Sequence, residues 1–95
     1  MHNYYVYITS NPGRTVLYVG VTNNLQRRLL VHREKRNTNL SFAGKYFCYN
    51  LLYYEEFRYI NDAIAREKEI KKWNRQKKCD LINSTNPKWN TIVTW

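Results

Sequence analysis

Two short runs of alternating side chains, Tyr4 to Ser10 and Val16 to Gly20, flank the turn signal Ser10-Asn11-Pro12-Gly13. Period-two alternation on either side of such a turn predicts a β-hairpin. Alternation puts Tyr4, Val6 and Ile8 on one face and Tyr5, Tyr7 and Thr9 on the other. In the second strand Leu17, Val19 and Val21 form an apolar set opposite Val16, Tyr18 and Gly20. If Val6, Ile8, Leu17 and Val19 pack against helices, then Tyr5, Tyr7 and Tyr18 are left together on the second face. Tyrosine is also a good strand former that tolerates half-burial, so the gathering of three phenols has a structural as well as a chemical reading.

The pattern then changes period. Thr22-Asn23-Asn24 offers N-cap residues for a helix of about Leu25 to Arg36, with Leu25 and Leu29 facing inward and Arg28 and His32 on an adjacent stripe. The Asn-, Ser- and Gly-rich stretch Asn37 to Lys45 predicts a loop, with Lys45 at its end. Aromatic-rich Tyr46 to Phe57 predicts a third strand that starts near Asn50 or a few residues earlier, with Leu51, Tyr53 and Glu55 alternating against Leu52, Tyr54 and Glu56. Asn61-Asp62 opens a second helix, about Ala63 to Asn74, and Arg75 to Lys78 leads into a short third one ending near Ile82. Pro87 ends any helix before it, and Trp89 is expected to anchor the tail to the body. The expected fold is α+β: a small three-stranded antiparallel sheet, built of hairpin, helix and third strand, with helices around it.

One residue breaks the pattern of the second helix. Its predicted inward stripe is Ile60, Ala63, Ile64, Glu67, Ile70 and Asn74. An inward carboxylate must be paired or coordinate something, because desolvating it alone costs several kcal/mol. Two explanations stand open: a local ion pair from Glu67 to Lys71, four residues on, or a bound cation.

Composition narrows the partner. Sixteen Lys and Arg against seven Asp and Glu give a formal charge of +9 on 95 residues, a field that attracts polyanions. With aromatic content at 16% and nine tyrosines, phosphate neutralisation and base stacking are both on offer. A length of 95 residues predicts one domain. No long apolar run or charged-then-apolar leader is present, so the expectation is a cytoplasmic protein without a membrane partner. Cys48 and Cys79 lack metal-ligand spacing and are expected as reduced thiols. Seven basic residues between Arg66 and Lys78, among them Lys71, Lys72, Arg75 and Lys78, are expected to join Lys45 in tracking a nucleic-acid backbone. No base-reading module is recognisable, so specificity is expected from DNA shape or from a protein partner.

Tyr5-Val6-Tyr7 and Tyr18-Val19-Gly20, with ten residues between them, resemble the paired motifs that name the GIY-YIG nuclease family. Tyr5 stands where the family name has Gly, and Val6 and Val19 stand where it has Ile. Further parts follow in order. Arg28 resembles the family's arginine on the first helix, His32 follows one turn later, and Glu67 resembles its metal-binding glutamate. Asn86 in Asn-Pro-Lys-Trp resembles the asparagine after the last helices, with Asn90 as the alternative. Asp62 to Trp73 is similar to the short single-domain branch, and the likeness spans about Tyr4 to Asn90.

The resemblance implies metal-assisted hydrolysis of DNA phosphodiester bonds, in repair or recombination. Glu67 would hold a divalent cation, Mg²⁺ first and Mn²⁺ as the alternative. Arg28 would fork onto phosphate oxygens, and Tyr7 would orient or deprotonate the attacking water if nearby cations lower its pKa. Tyr18 would hold the phosphate or the water network, His32 would assist as a second acid–base group or bind phosphate, and Asn86 would steady the metal site or the lid over it. The competing expectations are a non-catalytic nucleic-acid-binding module on the same scaffold, and a protein-interaction domain that uses the tyrosine face. The nuclease reading requires Tyr7, Tyr18, Arg28 and Glu67 to converge.

Overall fold

The computed structural model describes residues 3–34, 48 and 50–92, with residues 31–34 described by their backbone. Within them the order is β1 (Tyr4–Ser10), β2 (Leu17–Thr22), α1 (Leu25–Glu34), β3 (Asn50–Phe57), α2 (Ile60–Lys71) and α3 (Arg75–Thr85). The strands form one antiparallel sheet, as expected, and β1 takes its centre in the order β2-β1-β3. No helix among the described residues is long and apolar enough to cross a membrane.

Each sheet face buries one apolar set. Val6, Ile8 and Val19 pack with Ala63, Ile70 and Ile82 of α2 and α3. Tyr7 packs with Leu25 and Leu29 of α1 and with Leu51, while Tyr5 and Tyr18 flank it. The central strand is thus covered on both sides, and Val6 through Ser10 are all buried. Trp89 lies against the first cluster and donates through Nε1 to Asn83.

The simple alternation expected of β3 fails at a bulge. Ile8 pairs with Tyr53 but Thr9 pairs with Leu51, which leaves Leu52 as an extra residue. Leu52 and Tyr53 therefore both join the α2–α3 side, while Leu51 turns to Tyr7.

Caps explain where the helix bounds differ from expectation. Asn24 caps α1 by accepting from the Arg27 amide at 3.1 Å. The second helix starts at Ile60, so Asp62 lies inside its first turn, where its charge complements the helix dipole. Asn74 does not continue that helix inward. Its Oδ1 accepts from the Lys77 amide at 2.9 Å and opens α3, which runs on to Thr85. Ile60 is likewise exposed.

The hairpin loop is held from several directions. Asn11 Oδ1 accepts from the amides of Thr15 and Val16 at 2.8 and 3.0 Å. The left-handed position falls on Arg14, with φ of 55°, and not on Gly13. Arg14 donates to the carbonyl of Trp89, itself left-handed at φ of 55°, so the two unusual residues tie the loop to the C-terminal segment.

Candidate active site

Tyr7 and Gly20 are paired across β1 and β2, and the Tyr7 ring leans over the glycine. A Cβ at position 20 would lie 2.4 Å from Tyr7 Oη and 3.0 Å from Tyr18 Cε2. Gly20 has no positive φ, so it is required by this close approach and not by backbone conformation. Tyr18 sits beside the same ring, with centroids 6.2 Å apart.

Arg28 reaches this pair from α1. Its Nε donates to Tyr7 Oη at 3.3 Å, and Tyr18 also interacts with both groups. Asn24, by capping α1, sets the rotation that carries Arg28 toward the sheet while Leu25 and Leu29 face inward. Burial pushes the Tyr7 phenol well above its ordinary range, and the hydrogen bond from Arg28 offsets only part of that rise. Arg28 by itself therefore does not supply the lowered pKa that proton abstraction by Tyr7 needs. The phenol stays protonated at neutral pH and is suited to orienting a bound group.

The residue that departs most from the family's first word also lies on this face. Tyr5 donates to Glu56 Oε2 at 3.1 Å and meets the Tyr54 ring edge-on at 6.1 Å.

Glu67 comes from the opposite side of the sheet, on α2, which packs along β1 and β2. Its side chain is only 15% exposed, and Lys71 Nζ lies 3.2 Å from Oε2. The local ion pair is thus realised in a sheltered position. Lys71 also lines a cleft of about 260 Å³ at the β2 edge, together with Tyr18, Lys78, Leu17 and Val19. Tyr18 and Lys71 share the lining of that cleft. Tyr7, Tyr18 and Arg28 are brought together directly, whereas Glu67 lies on the other side of the sheet and pairs with Lys71, so the convergence that the nuclease reading requires is seen for three of its four residues.

As a cation holder Glu67 fits: it offers hard oxygen donors in a sheltered place where a positive charge already sits. Among the described residues no cluster of three or more His, Cys, Asp or Glu adds to it. Mg²⁺ suits a single carboxylate because it keeps most of its waters.

Other expected site residues are placed elsewhere. Asn86 donates to the carbonyls of Leu52 and Asn90 at 3.0 and 2.8 Å, and accepts from the Asn90 amide. It secures the segment after α3 to β3, at the sheet edge away from β2, and Asn90 lies there with it. Arg75 donates to the carbonyls of Thr15 and Arg14, both at 2.9 Å, and so clamps the hairpin loop. Lys72 is exposed and Lys78 half-buried. Lys45 and the His32 side chain lie outside the described residues.

The sequence reading missed two features. Gly20 seats Tyr7, and a glycine inside a strand was the available signal. Arg66 pairs with Glu55 at 2.9 Å while Tyr53 Oη donates to the same carboxylate, a network that no spacing rule reveals.

Residues 3–80 match the profile described as the GIY-YIG catalytic domain. The chain belongs to the GIY-YIG family. Family membership makes this a nuclease-type domain and brings nucleic-acid binding with it. The GIY-YIG chain is 34% identical over 77 residues to a UPF0213 protein of Bacillus pumilus, covering 81% of this chain and 76% of that one. It is 37% identical over 84 residues to the UPF0213 protein CPE1444 of Clostridium perfringens, covering 84% and 83%. The solution NMR structure of the UPF0213 protein BH0048 from Bacillus halodurans superposes with a TM-score of 0.57 at 25% identity, covering 94% of this chain and 92% of that one. The fold is that of a short GIY-YIG protein.

Proposed function

We propose that the protein is a metal-dependent endonuclease that hydrolyses DNA phosphodiester bonds, with repair or recombination as its setting. The observation that carries this reading is the Tyr7–Gly20–Tyr18 seat with Arg28 bonded into it. The phenol holds the guanidinium in a fixed relation to the sheet, which preorganises Arg28 to meet an anion.

Each residue has a task suited to its place. Arg28 is exposed apart from its phenol contact, so its outward N–H groups receive phosphate oxygens. Its charge counts most as negative charge builds in the transition state. Tyr7 holds the attacking water or a phosphate oxygen through its retained proton, and Tyr18 positions the same network from the strand edge. Glu67 would hold Mg²⁺, or Mn²⁺ in its place. Such an ion, held by Glu67, would supply charge neutralisation at the scissile phosphate. His32 remains the candidate second acid–base group. Lys45, Lys72 and Lys78 are the candidate backbone contacts, giving affinity without sequence choice. A protein partner would supply specificity.

The test is a cleavage assay with Mg²⁺ over single-stranded, duplex, branched and flapped DNAs, with Glu67→Gln as control. The expected result is cation-dependent cutting that the variant loses. A Glu67→Gln protein that cuts as well as the parent removes the metal assignment. Binding without cutting on every substrate returns the non-catalytic module.

A further inference from the structure

The geometry points to Lys71 as an exchangeable counter-ion: it neutralises Glu67 while no divalent cation is bound, and it becomes a phosphate ligand beside Tyr18 once one arrives. This rests on Glu67 being the cation holder, and it goes beyond that reading by coupling the cation to DNA.

Three observations place Lys71 in both roles. Its Nζ lies 3.2 Å from Glu67 Oε2, so it neutralises the carboxylate that a cation would need. Its side chain is 51% exposed, so it leaves that contact easily, while the 15% exposed carboxylate stays in place. It also lines the β2-edge cleft with Tyr18 and Lys78. Lys71 ends α2, one turn past Glu67, and its four-carbon stem lets the ammonium swing without moving the backbone.

The electrostatics give the direction. A divalent cation on Glu67 repels the ammonium next to it, and a half-exposed i,i+4 pair is too weak to resist. In the cleft, Lys71 then shares the lining with Lys78, Leu17 and Val19. Two ammonium groups in one cleft repel each other until an anion enters. A backbone phosphate supplies that anion. Cation binding at Glu67 and phosphodiester binding in the cleft are thus positively coupled, and linkage makes the coupling reciprocal.

Two measurements test this at constant ionic strength on the full chain. One is Mn²⁺ affinity, read from the electron paramagnetic resonance of the free ion. The other is anisotropy of a fluorescein-labelled phosphorothioate oligonucleotide with and without Ca²⁺. In the parent, Ca²⁺ should tighten oligonucleotide binding by roughly three- to tenfold. Lys71→Met should bind Mn²⁺ about two- to fivefold more tightly, because the competing ammonium is gone, and should lose the Ca²⁺ effect. Lys71→Arg, which keeps the charge, should keep the coupling. A parent without coupling, or a Lys71→Met protein that retains both the parent's coupling and its Mn²⁺ affinity, overturns the proposal. Glu67→Gln separates the two failures. If it binds Mn²⁺ as the parent does, the cation assignment itself falls; if it loses Mn²⁺ while Lys71→Met behaves as the parent, only the Lys71 exchange falls.

Discussion

Replacing Gly20 by alanine tests the seat of Tyr7 with a single methyl group. The new Cβ would lie 2.4 Å from Tyr7 Oη, 2.5 Å from Tyr7 Cζ and 3.0 Å from Tyr18 Cε2. Restoring ordinary contact requires the phenol to move by about 1 Å, and nothing around it yields readily in a close-packed interior. Tyr7 has no exposed surface and is packed by Leu25, Leu29 and Leu51. Overpacking of this kind costs about 1–3 kcal/mol. At roughly 4–8 °C per kcal/mol for a domain of this size, thermal denaturation should show a clear drop in Tm. Displacing an orienting group by about 1 Å costs on the order of 10² in rate, which a plasmid-nicking assay resolves well below the melting transition. Gly13→Ala is the internal control. Its Cβ would meet nothing nearer than Asn11 Nδ2 at 3.9 Å, and its φ is not positive, so stability should be unchanged or slightly raised. A Gly20→Ala protein with the parent's Tm and turnover would refute the placement of the Tyr7 ring and the active-site reading built on it.

Three further changes probe separate parts of the molecule. The native Tyr7 phenol holds its proton more tightly than the unfolded chain does, so stability is lost as pH rises above about 10, with Tyr53, pushed up to about 12 by burial and by Glu55, acting in the same direction. Tyr7→Phe should flatten that alkaline fall in Tm while abolishing cleavage at neutral pH; an unchanged alkaline limb would show that the phenol is not buried as described. Burial would raise the Glu55 carboxyl, but the hydrogen bonds from Arg66 and Tyr53 outweigh it and hold it below the usual range, so its stabilisation is present at neutral pH and lost on acidification. Arg66→Ala should cost about 1–3 kcal/mol at pH 7 and little at low pH, measured by urea titration at both. For the basic surface, Lys78→Ala should reduce the salt dependence of DNA binding, whereas Arg75→Ala should mainly lower Tm, because that guanidinium is occupied by Arg14 and Thr15 carbonyls. A reversed pattern would place Arg75 on the DNA.

The order of strands and helices was legible in the sequence because alternation and helical spacing are properties of each segment alone. The division of the sheet into a Val6–Ile8–Val19 face and a Tyr5–Tyr7–Tyr18 face followed from period two. The approach of Arg28 to the phenols followed from the resemblance and the helix register. What distant segments do to one another was not legible. The Glu67–Lys71 pair was open to the sequence because it lies within one helix, but how far that carboxylate is sheltered depends on how α2 lies along the sheet. The backbone carbonyls that Arg75 and Asn86 bond, in the hairpin loop, on β3 and in the segment after α3, are brought to them only by the fold. Leu52 reads as one more alternating residue until pairing with β1 forces the bulge. A side chain's periodicity is set within its own segment; its partner, its shelter and hence its charge state are set by whatever the fold carries to within a few ångströms of it.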